Sequence, residues 1–167
     1  MIADSTGHDY PEYPLVDHME FAYAMRTHRT RGDFQMRIQP LDADHFMRIV
    51  AYVLASDNLL FLAEEARLYK ESARFELELI KLARMGGHYG QDLILVSQRF
   101  QDIPTDVSSQ MDEIYFFNLD QEDDLKIAKN YLHELAEELP YLPRFHYLKK
   151  TRGIREVTRG VTKRIAA

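Results

Sequence analysis

Asn58 to Ala66 reads NLLFLAEEA, and Gly86 to Gln98 reads GGHYGQDLILVSQ. Each is a short apolar run that stops on polar side chains. Leu59 to Ala63 ends on Glu64 and Glu65; Leu93 to Val96 ends on Ser97 and Gln98. A continuous apolar run of this length predicts a strand buried on both faces. Between the two, Glu71 to Met85 carries Phe75, Leu79, Ile80 and Ala83 at helical spacing, and Gly86-Gly87 stops the helix. Strand, helix, strand in that order predicts parallel pairing and an α/β sandwich. Ligands of such sheets bind at the carboxyl ends of the strands, so the residues closing these runs are the ones that matter.

The neighbouring segments extend the pattern. Residues 43 to 55 place Phe46, Ile49, Val50, Val53 and Leu54 on one helical face, with Asp42 or Asp44 as cap. Phe34-Met36-Ile38 alternates with polar residues and predicts a half-buried strand stopped by Pro40. A short helix is expected over Val16 to Met25. Met1 to Asp4 reads as the end of a strand with an acid at its tip. Ile114 to Phe117 predicts a third buried strand. Asp120 is the expected N-cap of a helix over 121 to 138, with Leu125, Ala128, Leu132, Leu135 and Leu139 inward and Pro140 ending it. Residues 1–140 therefore read as one α/β core, and 141–167 as a basic tail or hairpin.

Composition narrows the class. Apolar content of 46% and charged content of 29% over 167 residues suit one soluble domain with a real core. The absence of cysteine excludes a disulfide framework and a thiolate metal site. No apolar run reaches the roughly 20 residues needed to span a bilayer, so a cytoplasmic location is the default expectation. The net charge of −6 is uneven: residues from Tyr141 onward carry +7 and the first 140 carry −13. A basic segment on an acidic body predicts a polyanion contact, an acidic neighbour or a solvated terminus.

The strand-end residues match the needs of phosphoryl transfer from ATP to water. That reaction takes a held metal ion, a positioned water and charge stabilisation at the γ-phosphate. Glu64 and Glu65 offer a metal acid and a water-directed acid, and the Gln98 amide a γ-phosphate contact. Glutamates in the first turn of a helix, favoured by its dipole, are the other reading of that pair.

The order of segments resembles the HerA–FtsK group of RecA-like P-loop ATPases, which includes viral genome-packaging ATPases. The residues that carry the resemblance are Ile2-Ala3-Asp4-Ser5-Thr6-Gly7-His8-Asp9-Tyr10, Leu62-Ala63-Glu64-Glu65-Ala66, Gly86-Gly87-His88-Tyr89-Gly90 and Leu95-Val96-Ser97-Gln98-Arg99. It covers about residues 1 to 140. It implies a RecA-like P-loop core represented from its second strand onward. Glu64 then stands as the Walker B metal acid, Glu65 as the catalytic glutamate, Gln98 as the sensor and Asp4 as a nucleotide contact. It also implies ATP and Mg²⁺ as cofactors, double-stranded DNA as cargo, a ring-shaped homo-oligomer or a P-loop-bearing partner, and a viral or mobile-element origin.

There are three departures from the pattern. Walker B usually has Asp where this chain has Glu64. The turn arginine, a candidate finger, is Gly87 here, which passes the role to Arg84 or Arg99. No G-x-x-x-x-G-K-[ST] stands anywhere in the 167 residues, and the first strand, phosphate loop and following helix are missing from the pattern. The backbone nest and lysine of that loop supply most of the grip on a triphosphate. The expectation is therefore no useful ATP affinity and no turnover by this chain alone. The alternative is a non-catalytic α/β interaction module that binds an ATPase partner or an acidic surface.

Other constellations are weaker. His133-Glu134 lacks a second histidine four residues on. Asp42, Asp44 and His45 read as a metal cluster or, more simply, a helix cap. Lys149, Lys150 and Arg152, with Phe145 and Tyr147 nearby, suit nucleic acid; a strand packing its aromatics on the core is the competing reading.

Overall fold

The computed structural model describes residues 1–3, 12–31, 35–65 and 73–162, without the side chains of 28–31 and 73–76. It contains two compact units, Met1–Gln98 with Asp102–Val107, and Arg99–Gln101 with Ser108–Ala167. The change of charge at Tyr141 falls inside the second unit.

The first unit is built on a four-stranded sheet of β1 (Ile2–Ala3), β2 (Arg37–Ile38), β3 (Leu59–Glu64) and β4 (Gln91–Val96) in the order β2-β1-β3-β4. Every pairing is parallel. The α/β class with a mainly parallel sheet, expected from the sequence, is the class found. Helices α1 (His18–Arg31), α2 (Ala43–Leu54) and α3 (Ala73–Met85) belong to the same unit. The short helix expected over Val16 to Met25 starts later and runs further than its sequence pattern predicts.

Helix α2 forms where its apolar face and cap predict. Asp42 accepts a hydrogen bond from His45 N at 2.7 Å, and Phe46, Ile49, Val50 and Val53 are fully buried. Asp42 is thus a cap, and no group of three or more metal-ligating side chains occurs among the described residues. Phe46 meets Phe61 of β3 at 6.4 Å between ring centroids, so α2 covers the sheet face that carries Leu59, Phe61 and Ala63. Gln91, the first residue of β4, donates its side-chain amide to Val53 O at 2.7 Å and also to Ser56 O. That amide fixes the C-terminal end of α2 to the sheet. Gly90, just before β4, sits at φ 67, and a Cβ there would run into the Asn58 side chain. Both features hold the start of β4 against the start of β3.

The opposite face departs from expectation. Strands buried on both sides were predicted, yet Leu60, Ile94 and Val96 are 50, 43 and 38% exposed. Alternate residues of a strand point to opposite faces, so an unbroken apolar run does not say how many faces are covered.

Helix α1 meets α2 through aromatic and histidine contacts. Phe21 packs on Tyr52 at 5.7 Å, and His18 Nδ1 lies 3.0 Å from His45 Nε2. Leu41 N–H donates to His45 Nδ1 at 3.2 Å, so His45 carries its proton on Nε2 and donates it to His18. Burial first, then the neighbouring His18, lowers the His45 pKa; Arg48 acts in the same direction and Asp42 opposes. A base lowered in the folded state leaves the unfolded chain binding more protons as pH falls below about 6.5. Urea unfolding should therefore show stability lost as pH drops through that value. His45→Gln should flatten this part of the profile; an unchanged slope would reject the assignment.

The second unit carries an antiparallel sheet of β5 (Glu113–Phe116), β6 (His146–Thr151) and β7 (Val157–Val161). The four-residue helix α4 (Thr105–Ser108) precedes it, and α5 (Glu122–Leu132) follows β5. The third strand is thus not part of the parallel sheet. Phe116, Leu148, Ala128, Leu132, Ala136, Leu139 and Phe100 form the core of this unit. The helix predicted to 138 stops at Leu132, because His133 adopts φ 54 and ψ −131, and a 3-10 helix continues over His133–Tyr141. Its N-cap is Gln121, one residue after the predicted Asp120, and no side chain caps it.

Asp124, in the first turn of α5, is fully buried. It accepts from Arg99 Nε at 2.8 Å and from Gln101 N at 3.0 Å. Its truncation would take an ionised acceptor from the Arg99 guanidinium and the acceptor of the Gln101 N–H. Asp124→Ala is expected to destabilise the protein by about 2–3 kcal/mol, measured by denaturant unfolding.

Candidate functional site

Parallel register sets the site. Ala3 pairs with Ala63, and Glu64 with Val96, so β1, β3 and β4 end together at one edge of the sheet. Residues that follow those ends are neighbours about 4.8 Å apart across the sheet. Asp4 follows β1 but lies outside the described residues, as do Ser5 to Tyr10 and Ala66. Glu64 closes β3 and is half-buried; Glu65 comes next and is also half-buried. Ser97 and Gln98 extend β4 alongside Glu65, with Gln98 exposed. The strand ends thus bring Glu64, Glu65 and Gln98 to the same edge.

Glu65 has a distinctive backbone. Its N–H donates to Val96 O at 2.9 Å, which ties it to the end of β4. Its φ is 49, in the left-handed region that costs a side-chain-bearing residue about 1–3 kcal/mol. Strain of this kind persists where surrounding contacts fix the residue, and here the cross-strand hydrogen bond does so. No sequence signal marks it, because glutamate is not a residue that favours this conformation. It also separates Glu65 from the competing reading of two glutamates in a helical first turn, since φ 49 is not helical.

The turn before β4 carries the arginine question. Gly86–Tyr89 is a single 3-10 turn, and Gly87 is exposed, with nothing within 4 Å of the point a Cβ would occupy. Arg84 is half-exposed and reaches Asp106 Oδ2 at 3.8 Å, a distance at which an exposed pair holds a side chain weakly. Arg99 is committed to buried Asp124.

Lys149, Lys150 and Arg152 of the second unit have intramolecular partners. Lys149 pairs with Glu113 at 2.8 Å, and Arg152 with Asp112 at 2.8 Å. Lys150 Nζ donates to the carbonyls of Ile154 and Arg155 at 2.6 and 3.0 Å. The hydrogen bond from Lys149 holds the Glu113 carboxyl below its ordinary range, with help from the Tyr115 hydroxyl. The strand parity reverses the competing reading of this region: Leu148 points into the core, and Tyr147 lies outside it.

Among solved structures, the genome packaging NTPase B204 of Sulfolobus turreted icosahedral virus 2, in complex with AMPPCP, is similar over 95% of this chain and 80% of that chain. The sequence identity is 18% and the TM-score 0.69. The same protein in complex with ATP-gammaS matches over 95% and 79%, at 17% identity and TM-score 0.69. B204, the DNA-packaging ATPase from Sulfolobus turreted icosahedral virus, matches over 95% and 80%, at 18% identity and TM-score 0.68. At this identity the likeness is one of fold. No family model matches the sequence, and no curated protein does. No described helix is long and apolar enough to cross a membrane.

Proposed function

We propose, from a fold shared with a genome-packaging NTPase, that this chain is the catalytic wall of an ATP-driven DNA-packaging or DNA-translocating motor. The observation that carries the reading is the common edge where β1, β3 and β4 end, with Glu64, Glu65 and Gln98 on it and Glu65 held in a strained conformation. The donor set fits a magnesium nucleotide: carboxylate oxygens suit a hard cation, and an amide suits a phosphate oxygen. When bound, that group would supply the phosphoryl centre and its leaving group. Glu64 would hold the metal's shell at the end of β3. Glu65 would orient the attacking water and take its proton. Gln98 would donate its amide N–H toward the γ-phosphate. Asp4 would complete the acidic rim, and Arg84 would serve as the mobile cation that Gly87 cannot be. Grip on the remaining phosphates would come from a P-loop-bearing partner segment, within a ring-shaped assembly that takes duplex DNA as cargo.

Phosphate release from ATP tests the reading. The chain alone should give background rates, and the chain joined to a strand–phosphate loop–helix segment should turn over. Failure of a folded fusion to hydrolyse ATP would remove the motor reading.

A second reading, a non-catalytic interaction module, is supported by the exposed Leu60, Ile94 and Val96 on one sheet face. Light scattering during size exclusion separates the two. A module that covers this face would run as a stable complex independent of nucleotide.

A further inference from the structure

Gln98, which carries the γ-phosphate contact in the motor reading, is exposed and belongs to neither strand nor helix. An exposed side chain has few contacts of its own to aim it, so the backbone beneath must do so. On one side that backbone is held at Val96, which pairs with Glu64 and accepts the Glu65 N–H at 2.9 Å. On the other side it is held by the three residues that follow. Arg99 Nε donates to Asp124 Oδ2 at 2.8 Å, and the Gln101 N–H donates to Asp124 Oδ1 at 3.0 Å. Phe100, between them, is buried against Phe116 and Tyr131, at 5.0 and 5.4 Å between ring centroids. Ser97 and Gln98 thus span two fixed points, and each has only its φ and ψ with which to move.

Asp124 is the common element of the second hold. The first turn of α5 carries Glu122, Asp123 and Asp124. Glu122 and Asp123 are exposed and pair with Lys126 at 2.9 and 3.5 Å. Asp124 is fully buried, and both of its oxygens go to one three-residue stretch of another element. Burial is not needed for an acid to favour the start of a helix. Nor does stability call for it, since an apolar side chain of similar size often serves a buried position as well as an ion pair does. What the carboxylate supplies is direction. A guanidinium and a backbone N–H that converge on its two oxygens fix where residues 99 to 101 lie, through hydrogen bonds strengthened by charge.

We propose that Asp124 is a positioning residue for Gln98: by holding Arg99 and Gln101 it sets the backbone from which the Gln98 amide reaches the γ-phosphate. What Gln98 touches rests on the motor reading; what holds Gln98 does not, so the two can fail separately.

Backbone relaxation of the isotope-labelled full chain, without nucleotide, reads the hold. The amides of Ser97 and Gln98 should be as rigid as those of β4, with order parameters of about 0.85. Asp124→Asn keeps the shape and an acceptor for the Gln101 N–H but removes the charge that holds Arg99. It should lower the order parameters of Ser97 and Gln98 to about 0.6 while Leu93 to Val96 keep theirs. Arg99→Ala breaks the same pair from its less buried side and should give the same local loss, even if the buried position does not tolerate Asn. Lys126→Ala, on the exposed side of α5, should leave Gln98 unchanged. Mn²⁺–ATP then reads the consequence. Glu65 and Gln98 should broaden together in the native chain, whereas in Asp124→Asn Gln98 should lag behind Glu65.

Unchanged order parameters at Ser97 and Gln98 in both variants would overturn the proposal. A loss confined to α5 and the β5–β7 sheet, with Gln98 spared, would overturn it too, because a purely structural pair gives that result. So would Gln98 broadening in step with Glu65 in Asp124→Asn. Failure of the motor reading looks different: neither Glu65 nor Gln98 broadens in the native chain, and the relaxation result still decides whether Asp124 holds Gln98.

Discussion

Glu65→Gln is expected to lower ATP hydrolysis by about 10²–10⁴-fold in the chain joined to a phosphate-loop segment, with the melting temperature unchanged. The amide keeps the size and the hydrogen-bonding shape of the carboxylate but cannot take a proton. Glu65→Gly separates catalysis from backbone strain. It removes the same carboxylate but suits φ 49, so it should abolish turnover and still stabilise the fold by about 1 kcal/mol. A Glu65→Gln fusion that hydrolyses ATP at the native rate would mean that the water is activated elsewhere. Measured phosphate release beside a thermal melt gives both readouts from the same samples.

The second large effect is on stability. Phe61 is fully buried in the middle of β3, against Phe46 of α2. Phe61→Ala should cost about 3–5 kcal/mol, because the ring's transfer energy is lost and a cavity remains between helix and sheet. The same change should loosen the end of β3, where Glu64 and Glu65 sit. Leu60→Ala, a control on the exposed face, should cost far less, since Leu60 is half in water already. Equal losses at the two positions, read by denaturant unfolding, would mean that Leu60 is covered in solution.

The contrast between Phe61 and Leu60 shows what the sequence can convey. Helix α2 was readable because its inward residues recur at 3.6 spacing and Asp42 precedes them. Strands β3 and β4 were readable because apolar runs of four or five residues between glycine or polar stops have few other uses. Their pairing was readable because a helix of the right length joins them. What a run cannot encode is how many of its faces are covered, and Leu60, Ile94 and Val96 follow from that gap. Strand β5 has the same local pattern as β3, yet it pairs with β6 in another sheet; its partner lies more than thirty residues away in sequence. The end of α5 turned on a left-handed His133, which no residue preference announces.

The candidate site divides in the same way. Glu64, Glu65 and Gln98 stood out because they close apolar runs, and parallel register then aligned those ends. Asp124 did not, because an acid in a first helical turn is ordinary until Arg99 and Gln101 are seen to converge on it. Lys149, Lys150 and Arg152 drew notice as a charge cluster, but each is engaged within the hairpin or with β5 and its approach. The outward aromatics beside them were obscured because alternation alone leaves open which face is the core.

The most direct test of the strand-end site is paramagnetic line broadening by Mn²⁺–ATP, with ATP in excess, in the amide spectrum of the isotope-labelled chain. Even at the weak, millimolar affinity expected without a phosphate loop, the amides of Ala63, Glu64, Glu65, Val96, Ser97 and Gln98 should broaden first. Broadening that begins elsewhere, or that spares these six while other amides respond, would contradict the account.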